Sequence, residues 1–315
     1  MHIKLPRLRY RYPAIGSLAL LLLLSIASAV AWAEPQEGVD RAIFWSIQKH
    51  GKPAGYLLGT IHSEDPRVLD FSGDFLGKLK ENTIFAMEMV PDLPTLARLT
   101  EYMHYPPGTT LESVIGFEQF DALVSALSSY QVPAEFVSRM KPWAAMMTLS
   151  TPPPKTGFFM DLSLSLRASG NELKVVGLET LEQQLSFLEE MPMSMQLALL
   201  DQAIAEYAHV DEAHDEMVSA YLENDLVELQ ELSDEQLAAV DKTAGEYFMD
   251  SGIHARNLRM AAALLPYFEN NTVFIAVGAL HLPGEQGLLN LLRRQGFELS
   301  PLEMPFRKVP GEQSQ

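Results

Sequence analysis

From residue 42 onward the chain alternates short apolar runs with longer stretches whose apolar positions recur every three or four residues. The runs that predict strands cluster toward the two ends. Segments 44–48 and 56–60 flank His50-Gly51-Lys52-Pro53 and predict a hairpin. Segments 83–89, 173–178 and 272–277 predict three more strands, and 297–301 one that closes the sheet. Between them the spacing predicts helices over 117–130, 161–169, 181–190, 254–268 and 286–294, with a long acidic set from 195 to about 240. Pro152-Pro153-Pro154 is a loop, because it can continue neither a helix nor a central strand. Apolar runs alternating with helices predict an α/β fold: a mixed, mostly buried central sheet flanked by helices, with the acidic set as an inserted helical layer or lid. No Gly/Ser linker interrupts residues 34–315, so they are expected to form a single domain.

The first 33 residues change which part of the chain matters. Lys4, Arg7, Arg9 and Arg11 precede an apolar stretch from Ala14 to Val30, and Ala31-Trp32-Ala33 supplies a small-x-small cleavage site. Residues 1–33 are therefore expected to be a secretory signal peptide. The alternative is an uncleaved anchor, since 14–33 could just span a bilayer; the small, Ser-rich far end favours cleavage. The expected location is periplasmic or secreted, with no membrane contact after cleavage. Losing those four cations takes the net charge from −18 to −22. Such a surface repels phosphate backbones, so nucleic acid is not an expected partner. There is no cysteine. Disulfides, thiolate catalysis and Cys-ligated zinc are excluded, and any metal must be held by His, Asp and Glu, which suits zinc, manganese or cobalt.

Two segments share one design. Tyr56–Thr60 leads into Gly59-Thr60-Ile61-His62, and Val273–Val277 leads into Gly278-Ala279-Leu280-His281. With 19 Gly and 8 His in 315 residues, chance supplies roughly 0.5 Gly-x-x-His match, so it is the pair at two strand ends that carries the argument. Each glycine would let the backbone pass close to a neighbour or a ligand, and each histidine would project at the rim of the sheet. Glu88 and Glu179 end two further apolar strands, where a lone carboxylate is costly unless it is paired or bound to a metal. Two His and one or two Glu from four strand ends would make a catalytic metal site with room for water. The other reading is that each Glu caps a helix or pairs with an arginine, with Thr180 itself a cap. Arg256-Asn257 lies on the helix leading into the fifth strand and could orient a carboxylate or clamp a peptide carbonyl. Asp161 is expected to cap the helix after the proline loop. His209 and His214 sit five apart among acids and are expected on a solvated helix face. There is no His-Glu-x-x-His, Gly-x-Ser-x-Gly or P-loop, which removes thermolysin-like, serine-hydrolase and NTPase chemistry.

Together these residues resemble the TraB/GumN family, to which PrgY- and Tiki-related proteins belong, in its bacterial GumN-like branch. The matching features are Gly59–His62, Glu88, Asp161, Gly177-Leu178-Glu179-Thr180 with Gln183-Gln184, Arg256-Asn257 with Met260, and Gly278–His281. The resemblance covers about residues 42–305. It implies a fold related to erythromycin esterase and the haem-binding ChaN proteins, and a peptidase that needs manganese or cobalt. Carried over, His62 and His281 become metal ligands or catalytic histidines, Glu88 a further ligand or base, Glu179, Arg256 and Asn257 catalytic residues lining the same pocket, and Gly59 and Gly278 the glycines that let the cofactor approach. The substrate would be a peptide or small molecule. Two rival expectations are an esterase-like hydrolase in which a histidine activates water without metal, and a protein that sequesters a peptide or haem and cleaves nothing.

Overall fold

In the computed structural model, which describes residues 41–238 and 242–307, the chain first reverses at His50 and Gly51, with φ of 54° and 70°. Two positive φ values in a row make the tight turn whose twist matches a hairpin. β1 (Phe44–Lys49) thereby pairs antiparallel with β2 (Lys52–Thr60), which begins four residues earlier than the sequence pattern predicts. β3 (Ile84–Met87), β4 (Lys174–Gly177), β5 (Val273–Gly278) and β6 (Phe297–Pro301) complete one six-stranded sheet in the order β4-β3-β5-β2-β1-β6. β4, β3, β5 and β2 run parallel, while β1 and β6 add antiparallel pairs at one edge. All six residues of β5 are buried. A central parallel strand is covered on both faces, which is why its sequence is apolar without alternation. The predicted signal peptide, residues 1–33, lies outside the described residues.

The expected helices form with shifted ends: Phe117–Leu127, Met160–Gly170, Leu181–Glu189, Ala255–Leu264 and Leu288–Arg294. Several others were not legible in the pattern, among them Gly73–Lys80, Leu93–Tyr102 and Pro142–Leu149. Pro142–Leu149 buries six of its eight residues, so it has no polar face to give a period. Leu93–Tyr102 buries none; it starts because Asp92 accepts the Thr95 N–H and Pro94 sits in its first turn.

The acidic set divides into Met193–Glu206, Val210–Leu222 and Leu226–Ala238, and it is no lid. Met217, Val218 and Tyr221 of the second helix are fully buried among the sheet residues, and the Tyr221 hydroxyl donates to the Gly59 carbonyl at 2.7 Å. Met193–Glu206 instead places Leu199 and Leu200 in a second apolar core with Trp143, Met146 and Leu185. The chain crosses from the first core to the second directly after β3 and β4: Met87 and Leu178 belong to the sheet core, Met89 and Leu181 to the helical one. Glu88 and Glu179 lie at those two crossings. Among the described residues no helix is long and apolar enough to cross a membrane.

Candidate active site at the carboxyl ends of the parallel strands

β2 and β5 are neighbours in register, Gly59 opposite Val277 and Thr60 opposite Gly278. Both Gly-x-x-His motifs therefore leave the sheet side by side. The first glycine makes room for the second motif: a Cβ on Gly59 would lie 2.8 Å from the Ala279 Cα. Its N–H donates to the Ile43 carbonyl and its own carbonyl accepts from Tyr221. The Gly278 N–H donates to Glu88 Oε1 at 2.8 Å. Of the two alternatives in the sequence reading, a neighbour or a ligand, Gly59 thus meets a neighbour, Ala279, and the Gly278 amide is occupied by a carboxylate.

Behind the motifs lies a buried charge network. Arg256 Nη2 donates to Glu88 Oε2 and to Glu179 Oε2, each at 2.6 Å, and its Nε donates to Glu179 Oε2 at 2.8 Å. Arg259 Nη2 reaches Glu179 Oε1 at 3.3 Å, and Gln184 Nε2 reaches Glu88 Oε2 at 3.4 Å. Two carboxylates thus face two guanidinium groups, so the cluster is neutral overall. Burial alone would raise the Glu88 pKa, but Arg256 and the Gly278 N–H hold it down to about 2. Burial opposes charge on Arg256 too, and the two carboxylates raise its pKa above the usual value. Arg256 follows a π-helical stretch, Phe248–His254, in which Gly252 lies against the Phe187 ring. Such stretches change helical register and recur at functional sites.

His281 is fully buried. Its Nδ1 lies 2.6 Å from Asn257 Oδ1, while Asn257 Nδ2 donates to the Gln286 carbonyl. That second bond fixes the amide so that its oxygen faces the imidazole, and Nδ1 must therefore carry the proton. Nε2 keeps its lone pair, 3.4 Å from Arg256 Nη1 and 3.7 Å from Glu88 Oε1. Burial, which outweighs the opposing Glu88 charge, pushes the pKa down to about 3, so the ring is neutral.

His62 has different surroundings. Its side chain is 50% exposed, its Nδ1 lies 3.7 Å from Asp161 Oδ2, and its ring stacks on Phe159 with centroids 4.1 Å apart. Asp161 is held from below by the Thr60 hydroxyl at 2.7 Å. This corrects the sequence reading of Asp161, which lies inside the Met160–Gly170 helix, with Phe159 at the cap position. His214 is also corrected. It is half-buried and its Nε2 lies 2.9 Å from the Ser63 hydroxyl, while His209 stays exposed near Glu212. Burial lowers the His214 pKa. Thr180 is a cap, in a reciprocal capping box with Gln183. Glu88, Glu179, Arg256, Asn257, Gly278 and His281 are thus brought into one network, with His62 and Asp161 forming a separate, accessible pair. Ser63 and His214 belong to no motif; only the fold brings them together.

The donor chemistry can be tested against a metal. His281 directs Nδ1–H at an oxygen as a ligand would, but its Nε2 faces Arg256 Nη1 at 3.4 Å. Its carboxylate neighbour Glu88, however, is already engaged by the Arg256 guanidinium, a cation in the place a metal would need. Among the described residues no group of three or more His, Asp or Glu side chains is placed to hold a metal ion. As arranged, the set His62, Glu88 and His281 does not fit a resident metal.

A family model described as TraB/PrgY/gumN matches residues 43–301. Metalloprotease TIKI1 of Danio rerio is 24% identical, over 89% of this chain and 67% of that protein. Metalloprotease TIKI2 of Xenopus tropicalis is 23% identical, over 82% of this chain and 59% of its own length. Uncharacterized protein YbaP of Escherichia coli (strain K12) is 27% identical, over 76% of this chain and 87% of that protein. The chain thus spans about two thirds or less of the Tiki relatives and most of the bacterial one. No solved structure matches the chain significantly.

Proposed function

The chain belongs to the TraB/PrgY/gumN family, and from that premise we propose that it is an exported hydrolase of peptide bonds with its reacting centre where β2 and β5 end. One observation carries the reading: the two Gly-x-x-His strands are neighbours, and the glutamates that end β3 and β4 meet on one guanidinium beside His281. Three strand ends converging on one buried, preorganised set of charges, with the fourth presenting the exposed His62 beside it, is how an α/β sheet builds a reaction centre. The metalloprotease names of the Tiki relatives support a peptide substrate and a metal; that the metal is manganese or cobalt is part of the proposal. Arg256 argues against that metal lying between Glu88 and His281.

A second reading is favoured by the His62–Asp161 pair. An exposed imidazole with a carboxylate beside one nitrogen can take a proton from water through the other, without metal. Glu179, Arg256, Asn257 and His281 would then shape the field behind it.

The test is metal analysis of the purified protein, followed by its cleavage of a mixed peptide library. Reactions would be run with manganese or cobalt, with a chelator, and with His62→Ala and Glu88→Gln proteins. Cleavage abolished by the chelator and by both substitutions supports the metal-dependent form. Cleavage that survives the chelator but not His62→Ala selects the histidine mechanism. A folded protein that binds peptides tightly and cleaves none refutes both in favour of sequestration.

A further inference from the structure

The 151–159 segment has no regular structure and includes Pro152-Pro153-Pro154 and Gly157, with φ of 74°. Yet it is fastened to the His62 turn at successive points. The Glu64 carboxylate accepts the backbone N–H groups of Lys155, Thr156 at 2.8 Å and Gly157 at 3.0 Å, together with the Thr156 hydroxyl. Three consecutive N–H groups aimed at one anion form a nest, here occupied by a side chain of the protein itself. The Thr156 hydroxyl in turn accepts the Phe158 N–H at 3.1 Å. Phe159 then stacks on His62, the Met160 N–H donates to the Ser63 carbonyl at 3.0 Å, and Asp161 takes the Thr60 hydroxyl.

We propose that Glu64 is a positioning residue: its carboxylate latches the 151–159 segment onto the turn after β2 and so fixes the His62 ring between Phe159 and Asp161. Glu64 supplies four of the contacts, all charge-assisted, whereas the remaining stitches are single bonds. The ring at the other end is the accessible one of the two motif histidines. A latch rather than a core contact is the right description, because Lys155 and Thr156 are exposed. Losing the carboxylate leaves their N–H groups to water, and the fold survives while the segment loosens.

The meaning of a fixed His62 rests on the proposed function, but the latch can be tested without any activity. The protein expressed from the full chain is compared with Glu64→Ala and Thr156→Val forms. The first readout is native-state trypsin cleavage after Lys155. Glu64→Ala is expected to be cut there about tenfold faster or more, since lost hydrogen bonds to a charged group shift local opening by at least that factor. Thr156→Val removes one donor to Glu64 and the acceptor of the Phe158 N–H while leaving the three backbone N–H bonds to Glu64, and is expected to fall between Glu64→Ala and the native protein. The second readout is the His62 Cε1–H proton resonance, assigned by its loss in His62→Gln. The Phe159 ring displaces it in the native protein, and in Glu64→Ala it moves toward the position of a free histidine. A purely structural role would leave that resonance in place. Unchanged cleavage and an unmoved His62 signal in both variants overturn the proposal. Should Glu64→Ala fail to fold, Thr156→Val decides alone, since its exposed side chain supports no core. If the native protein cleaves peptides, Glu64→Ala lowers kcat more than it raises KM. If it cleaves none, the proposed activity fails while both readouts still judge the latch.

Discussion

Replacing Arg256 with Met isolates the charge network at the seam between the two cores. The thioether chain fills most of the volume but leaves Glu88 and Glu179 buried, with only the partly exposed Arg259 near one of them. Removing one partner from a buried ion pair costs ~3–5 kcal/mol. In a protein of this size each kcal/mol moves the melting midpoint by ~2 °C, so Arg256→Met should melt about 6–10 °C lower. The pH dependence is the sharper signature. In the native protein the Glu88 pKa is depressed from 4.5 to about 2. That shift corresponds to on the order of 3 kcal/mol of stability, fully present above pH 4.5 and lost as pH falls toward 2. Without Arg256 burial prevails and lifts the folded carboxyl above 4.5. The folded variant then takes up a proton before the unfolded chain does, so it gains stability as pH is lowered from neutral. Losing Arg256 also lets His281 protonate more readily, which works in the same direction. The deficit against native protein should therefore shrink between pH 7.5 and pH 5. Urea titrations followed by far-UV circular dichroism and by fluorescence of the buried Trp45 and Trp143 would measure it. A deficit below ~1 kcal/mol, or one that is equal or larger at pH 5, would refute the reasoning.

Three other outcomes follow from the same geometry. The His281 pKa is depressed from 6.5 to about 3, so the stability this group contributes is complete above pH 6.5 and is lost on acidification. Its share of the loss by pH 5 is ~2 kcal/mol, and His281→Gln should show a correspondingly flatter urea-midpoint profile between pH 7 and 5. Gly59→Ala forces a Cβ to within 2.8 Å of the Ala279 backbone and should cost ~1–3 kcal/mol. Gly73→Ala, with nothing within 4 Å, should stay within ±0.5 kcal/mol, and paired thermal melts would compare the two. Tyr221→Phe removes the hydrogen bond to the Gly59 carbonyl and should cost ~1–1.5 kcal/mol; a neutral melt would mean that water replaces the hydroxyl.

The sequence by itself determined what depends on neighbours along the chain. The hairpin is written in His50-Gly51, whose backbone must turn with positive φ, and the strands in apolar runs bounded by polar residues. Glu88 and Glu179 stood out because an acid at the end of an apolar strand needs a partner. The paired Gly-x-x-His motifs and the α/β class were legible for the same reason. The Pro142–Leu149 helix was not, since a segment buried all round carries no period. Nor was the role of the acidic helices, because a Tyr221 hydroxyl reaching Gly59 across 162 residues ties one of them to the sheet while another packs into the second core. Strand order was decided only by the tertiary structure: β5, late in the chain, enters between β2 and β3 and so brings the two motifs together. The partner of the strand-end glutamates was settled in the same way. The sequence asked for a cation, and Arg256 answers from 77 and 168 residues away. Local pattern cannot carry that choice, because a buried charge is satisfied by whatever the packing of distant elements places within about 3 Å.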